Sequence, residues 1–143
     1  MKVDGSYTFE APVARVWEVL LSPDSLASCV PGCDSMTPTG QDQWDVSMKV
    51  GVAAIRGSYK GKIRVADKDE PKSFKLIVEG SGGAGFVRGE ALIHLVDQGA
   101  TTQVNVAGEG NVGGTVAGVG QRMLGGVAKM LMGNFFDCLR KQL

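Results

Sequence analysis

Hydrophobic and polar residues alternate along the middle of this 143-residue chain and then follow a helical period near its C-terminus. Residues 43–50 show the alternation most clearly, because Trp44, Val46 and Met48 point to one face and polar residues to the other. Residues 54–66 place Tyr59 and Ile63 opposite a row of basic residues. Similar patterns predict strands at 2–10, 34–39, 74–78, 86–96 and 101–107. Short strands joined by tight turns indicate an antiparallel meander.

Helical periodicity appears twice. Residues 12–20 predict a short amphipathic helix, followed after Ser22-Pro23 by a second short helix that reaches Cys29. Residues 115–143 predict a helix about 40 Å long. The spacing of its apolar residues predicts one stripe, made of Val116, Val119, Met123, Val127, Met130, Leu131, Phe135, Cys138 and Leu139.

Glycines interrupt the C-terminal helical pattern at five positions: Gly118, Gly120, Gly125, Gly126 and Gly133. Each costs a helix roughly 1 kcal/mol relative to alanine. We therefore expect this helix to be held by tertiary packing, with another part of the chain close to its backbone. The sheet needs a cover on one face, and this helix is the largest apolar surface available.

These elements predict one α+β domain over residues 1–143, with two short helices after the first strand. A curved antiparallel sheet of about seven strands would wrap around the long C-terminal helix. Fifteen Lys and Arg balance fifteen Asp and Glu, which argues against a nucleic-acid partner. No run of 18 apolar residues is present, so no membrane span is expected.

The three cysteines and the lone histidine are the first candidates for chemistry. We expect Cys29, Cys33 and Cys138 to be reduced thiols in a cytoplasmic protein, acting as small apolar groups. A metal shared by Cys29 and Cys33 is the alternative, although tetrahedral zinc needs four ligands. His94 could act as a general base, but most lone strand histidines are structural.

The sequence GEGNVG at residues 108–113 has the letters of a dinucleotide-binding turn. That turn requires a second parallel strand after its helix, and only a helical segment follows here. We interpret its glycines as a means of leaving the sheet. Lys60, Lys62 and Arg64, with Arg56, predict the solvated side of a strand, or alternatively a docking surface for an acidic partner or a membrane.

The candidate interior is apolar, and Gly57 and Gly61 remove volume from it. These residues either fill a solid core or line a ligand space between sheet and helix. Tyr59 and Arg88 are candidates to orient a polar head group at its mouth. The remaining candidate ligand-binding residues are Trp44, Val46, Met48, Ile63, Phe74, Leu76, Phe86, Val116, Val119, Met123 and Val127.

Three local sequences carry a resemblance to a known family. The segment APVARVW at residues 11–17 resembles the entry into the first helix of START-like (SRPBCC) proteins, whose fold is called helix-grip. VPGC at residues 30–33 and the glycine-rich approach at residues 108–120 resemble the CoxG-like family, which is named after carbon monoxide dehydrogenase. The resemblance covers nearly the whole chain.

This resemblance implies a non-catalytic accessory protein that binds a quinone or lipid-like molecule, without a metal or cofactor of its own. It implies a molybdenum-containing dehydrogenase as partner, and a cytoplasmic location with at most peripheral contact at the inner face of the cell membrane. Two alternatives stay open. One is a polyketide cyclase or dehydratase-like enzyme that uses His94 and Tyr59, and the other is a ligand-free docking module for maturation of the dehydrogenase.

Overall fold

The computed structural model describes residues 1–51, 56–83 and 85–143. The elements, in chain order, are β1 (Lys2–Phe9), α1 (Val13–Leu20), α2 (Pro23–Cys29), β2 (Cys33–Gly40), β3 (Gln43–Val50), β4 (Gly57–Asp69), β5 (Ser73–Gly82), β6 (Gly85–Asp97), β7 (Thr102–Gly113), a 3-10 helix (Thr115–Val119) and α3 (Gln121–Arg140). The predicted order of elements is confirmed. The predicted start of the β4 strand at Ala54 and Ile55 lies outside the described residues.

The strands form one curved antiparallel sheet in the order β1-β7-β6-β5-β4-β3-β2. Consecutive strands from β2 to β7 are neighbours, and β1 pairs with β7 at the far edge. The predicted meander and α+β helix-grip fold are therefore confirmed. We call the face that contacts the helices the inner face, and the opposite face the outer face.

Inner-face glycines allow adjacent strands of this sheet to approach closely. A Cβ on Gly61 would lie 2.0 Å from the carbonyl oxygen of Glu79, and one on Gly82 would lie 2.3 Å from that of Ser58. Gly61 pairs with Gly80, and Gly89 pairs with Gly110. Glycine in a strand commonly marks a bend or a close backbone approach, so these positions allow the sheet to curve.

The two short helices pack their apolar side on the inner face. Ser22 begins α2 by accepting a hydrogen bond from the Ser25 amide through its hydroxyl, at 3.5 Å, and Pro23 fits the first helical turn. The Trp17 ring of α1 meets the edge of Phe74 on β5, with 5.5 Å between ring centroids. The short helices thus cover the end of the sheet where β5 begins.

The C-terminal helix is shorter than its sequence pattern predicts. Residues 115–119 form a 3-10 helix, and Gly120 separates it from α3 with a φ of +96°. The predicted α-helical positions of Val116 and Val119 are therefore wrong. Glycine adopts positive φ without the steric penalty of a Cβ, so the chain turns here instead of continuing as one helix.

The predicted apolar stripe of the C-terminal helix is also rotated from the observed one. Met123 and Met130 are 55% and 47% exposed, whereas Leu124, Phe136 and Leu139 are buried. The Phe136 ring stacks on Tyr7 of β1, with 4.2 Å between centroids. Aromatic packing and the anchoring of Leu139 thus decide the rotation of α3, because both bury more apolar surface than the methionines would.

A disulfide between Cys29 and Cys138 joins α2 to α3. The expectation of three reduced thiols is therefore wrong for these two cysteines, and Cys33 alone is a free thiol among the described residues. Sequence spacing gave no warning, since 109 residues separate the pair. Packing of α2 against α3 brings their Cα atoms to 5.4 Å, within the range for a disulfide.

Candidate functional site: an open half of the interior

The interior between sheet and helices is well packed at one end. The main apolar cluster combines Phe9, Val104, Trp17, Phe136 and Leu139 with neighbouring residues of β3 to β6. Thr102 is fully buried within this end, and its hydroxyl donates a hydrogen bond of 2.8 Å to the Ala11 carbonyl. This end therefore behaves as a conventional core with its buried polar group satisfied.

The other end of the interior is less densely packed. Val78 on β5 and Val127 and Leu131 on α3 are only half-buried, and none of them is among the residues that pack against the main cluster. Val87, on the inner face of β6, is 37% exposed. We call this region, between the first half of α3 and the later part of β5 and the start of β6, the open half.

Gly125 gives the clearest sign of missing volume in the open half. It is half-buried, yet a Cβ built on it would meet no described atom within 4 Å. Met132, two helical turns further on, reaches a Cβ position of Gly5 at 2.8 Å. Close approach of α3 to the sheet thus occurs at Met132, while the expected close neighbour of the Gly125 and Gly126 backbone is absent among the described residues.

The predicted ligand-binding residues divide between the two halves. Trp44, Val46 and Phe74 belong to the packed cluster, and Met48, Ile63 and Leu76 lie against it. For these six residues the solid-core interpretation holds. Tyr59 and Val127 are half-buried and lie outside that cluster, as does the buried Val116.

Three predicted positions are wrong in their orientation. Phe86 and Arg88 alternate with the inner-face residues of β6 and therefore lie on the outer face, and Met123 lies on the exposed side of α3. The Phe86 ring covers Gly113, where a Cβ would come within 2.2 Å of it. A one-residue shift in a strand reverses the face, which explains why an apolar residue beside a glycine-rich turn misled the sequence pattern.

Two cavities accompany this arrangement. A groove of about 510 Å³ lies on the outer face and includes Ser35, Lys60, Lys62, Glu79, Phe86 and Arg88; we call it the outer groove. A smaller space of about 170 Å³ lies between the end of β7, the 3-10 helix and Leu124. Among the predicted ligand-binding residues, Val46, Phe86 and Arg88 line the outer groove, and none lines the smaller space.

Titratable groups contribute little to the open half. His94 is exposed on the outer face of β6, on the side opposite α3. Burial raises the pKa of the Cys33 thiol above its usual value, and the thiol donates a weak hydrogen bond to the Ser35 carbonyl. Burial and the nearby Asp137 carboxylate raise the pKa of the Tyr7 hydroxyl. Among the described residues, no three His, Cys, Asp or Glu side chains are grouped to hold a metal.

The dinucleotide-like sequence has no phosphate-binding geometry. Residues 108–113 continue β7 to Gly113 and pair with β6, and the last residue, Gly113, lies opposite Phe86. Gly108 and Gly110 lie close to the backbone of neighbouring strands, so their role is to permit close strand approach. The interpretation of these glycines as structural agrees with the structure, although they lie in the strand instead of leading away from it.

Sequence reasoning missed several residues that shape the interior. Leu124 and Phe136 were outside the predicted stripe, and Val104, Ile93 and Leu95 were not among the interior candidates. The alternation of Ile93 with Leu95 was visible and could have placed them. Nothing in the sequence pattern distinguished Phe136 from Phe135, because both fit a helical stripe within one residue.

Comparison with solved structures defines the class of protein. A START superfamily protein from Mycobacterium smegmatis superimposes with a TM-score of 0.77 at 13% identity, covering 99% of this chain and 95% of that chain. The Zhui aromatase/cyclase from Streptomyces sp. R1128 gives 0.71 at 17% identity, covering 99% and 92%. These similarities show that the chain has the START-like fold.

The family follows from a closer match. Residues 5–143 match the carbon monoxide dehydrogenase CoxG family, and the chain belongs to that family. A conserved protein from Geobacillus kaustophilus is 39% identical with a TM-score of 0.96, covering 99% of this chain and 94% of that chain. The comparison with curated proteins found no match. Within the part of the chain that the structure describes, no helix has the length and apolarity needed to cross a bilayer.

Proposed function

We propose that this protein is a non-catalytic accessory protein of a carbon monoxide dehydrogenase-type molybdenum hydroxylase. In this proposal it binds a hydrophobic small molecule, such as a quinone or a lipid, in the open half of its interior. Family membership supports the accessory role and the partner enzyme. The ligand-binding role depends on the geometry between α3 and the inner face.

The observation that carries the proposal is the empty space beside Gly125. A half-buried helix position that faces neither a side chain nor backbone of the described residues is unusual in a close-packed interior. The walls around it are apolar and partly exposed, with Val78, Val87, Val127 and Leu131 as the nearest candidates by face and position. Burying such surface against a ligand would contribute about 25 cal/mol per Å².

The cyclase-like alternative has less support from the described residues. It required His94 as a base inside the cavity, and His94 lies on the outer face. Similarity to the aromatase/cyclase is limited to 17% identity and so concerns the fold alone. The docking-module alternative is compatible with ligand binding, since a protein can carry a ligand to the enzyme on which it docks.

A titration with decylubiquinone tests the ligand-binding role. Trp17 and Trp44 are the two tryptophans of the chain, and both are buried on the inner side, so quinone binding should quench their fluorescence. We expect saturable quenching in the unmodified protein. Gly125→Leu should weaken binding at least tenfold by filling the space, whereas the control Gly126→Leu, on the exposed side of α3, should not.

Mass spectrometry of organic extracts from the purified protein gives an independent measurement. Recovery of a co-purifying quinone or lipid would support the proposal. An empty extract together with non-saturable quenching would overturn it. Co-purification with a molybdenum hydroxylase from an organism that encodes both proteins tests the accessory role separately.

A further inference from the structure

The outer groove lies on the side of the sheet opposite α3, and the proposed ligand space does not account for it. Its volume of about 510 Å³ falls within the usual range for small-molecule sites. Strand register sorts its polar residues into two rows that run across the sheet. The two rows differ in their charge, and that difference indicates what the groove can bind.

The first row is electrically balanced. Asp45, Lys62, Glu79 and Arg88 occupy successive register positions on β3, β4, β5 and β6, with alternating sign. The Arg88 Nε lies 3.9 Å from a Glu79 carboxylate oxygen. Opposite charges on adjacent strands stabilise the sheet by a few tenths of a kcal/mol to about 1 kcal/mol per pair. This row therefore has little net charge to offer a ligand.

The second row carries one cation between hydroxyl groups. Lys60 on β4 is flanked in register by Ser47 on β3 and Ser81 on β5, and all three line the groove. No carboxylate lies directly opposite Lys60 on either neighbouring strand, and no ion pair within 4.0 Å is found for it among the described residues. An ammonium group between two hydroxyl donors is suited to an anionic oxygen.

An aromatic ring ends this second row. Phe86 pairs with Ser81 across β5 and β6, is 50% exposed and lines the groove. Gly113, its register partner on β7, leaves room for the ring, because a Cβ there would lie 2.2 Å from it. The groove therefore presents an anion-binding group and an apolar, aromatic surface along one line.

We infer that the outer groove binds a small aromatic anion. Its carboxylate or phosphate contacts Lys60 with the hydroxyls of Ser47 and Ser81, and its ring lies against Phe86. The balanced row of Asp45, Lys62, Glu79 and Arg88 forms one wall and disfavours highly charged ligands, since its carboxylates repel additional negative charge. This site is separate from the proposed hydrophobic ligand space, so either can fail without the other.

Titration of the ¹⁵N-labelled full chain with phenyl phosphate, benzoate and inorganic phosphate tests this site by amide chemical shifts. We expect phenyl phosphate or benzoate to shift amides of the groove strands in a saturable way and to bind at least tenfold more tightly than inorganic phosphate. Lys60→Gln should weaken the preferred probe at least tenfold. The control Lys2→Gln removes one charge from the same face at the β1 edge and should change affinity less than twofold.

A second variant tests the aromatic part of the site. Phe86→Leu keeps an apolar side chain on an exposed position, and we expect it to remove the preference for aromatic probes over inorganic phosphate. Equal weakening by Lys60→Gln and Lys2→Gln would overturn the assignment, as would shifts that lie outside the groove. Binding of a glutamate-rich peptide without binding of either aromatic probe would also overturn it.

Discussion

The two ends of α3 have different structural roles. Its C-terminal end is tightly held: Phe136 stacks on Tyr7, Leu139 is 1% exposed and Cys138 is bonded to Cys29. Its N-terminal end is loosely held, with Met123 and Met130 exposed and no described atom near a Cβ on Gly125 or Gly126. One helix thus anchors the fold at one end and provides a wall for a ligand at the other.

This difference separates stability from binding along a single element. Substitutions at the anchored end should change the free energy of unfolding, and substitutions at the open end should mainly change ligand affinity. The following variants test that separation, beginning with the largest expected effect.

Phe136→Ala should destabilise the protein by about 4 kcal/mol, because it removes a buried aromatic ring and leaves a cavity beside Tyr7 and Phe9. Urea denaturation followed by circular dichroism measures the change. Met130→Ala, on the exposed side of the same helix, is the control and should change stability by less than about 0.5 kcal/mol. Similar losses for the two variants would contradict the contrast between the ends.

Opening the disulfide should lower the free energy of unfolding by about 3 kcal/mol, since it closes a long loop between α2 and α3. The paired variant Cys29→Ser/Cys138→Ser, compared with the unmodified oxidised protein, measures this effect. Cys33→Ser should leave stability within about 0.5 kcal/mol, because Cys33 is outside the bond. An unmodified protein that has the same stability with and without reductant would refute the prediction.

Gly61→Ala should cost about 2 kcal/mol, because its Cβ would collide with the Glu79 carbonyl and force the β4 and β5 backbones apart. Gly80→Ala, at the register partner, is the matched control. A Cβ there would meet only the Lys60 carbonyl, at an ordinary 3.7 Å. Equal effects at the two positions would show that close strand approach at Gly61 does not govern the curvature.

Gly125→Ala should stabilise the protein by about 1 kcal/mol, because alanine is the better helix former and the added methyl group meets open space. Thermal and urea denaturation measure this gain. Gly126→Ala should give a similar gain at the exposed side of α3. Destabilisation by Gly125→Ala alone would indicate that the position is already filled and would weaken the case for a ligand space.

The strands could be predicted because alternation reports local side-chain direction directly. β3 matches its prediction at both ends, and most other strands extend only a few residues beyond theirs. The start of α3 could not be predicted in the same way. Residues 115–119 have helical spacing, and only the positive φ values of Gly114 and Gly120 show that the chain turns there.

The candidate site was harder to predict than the fold. Tyr59, Val116 and Val127 were placed in the interior correctly, but the division into packed and open halves depends on contacts distant in sequence. Phe86 and Arg88 were assigned to the wrong face, since the glycine-rich turn before them hides the register of β6. The Cys29–Cys138 bond likewise depends on the docking of α2 against α3.

The connection between β1 and β2 has a mechanical consequence. These strands follow each other in the chain but lie at opposite edges of the sheet, so the segment that contains α1 and α2 bridges the full width of the fold. Its length sets how far apart the edges can lie, in the way that a string limits the opening of a bow. Trimming or lengthening that bridge would therefore tune the width of the concavity without altering any residue of the strands.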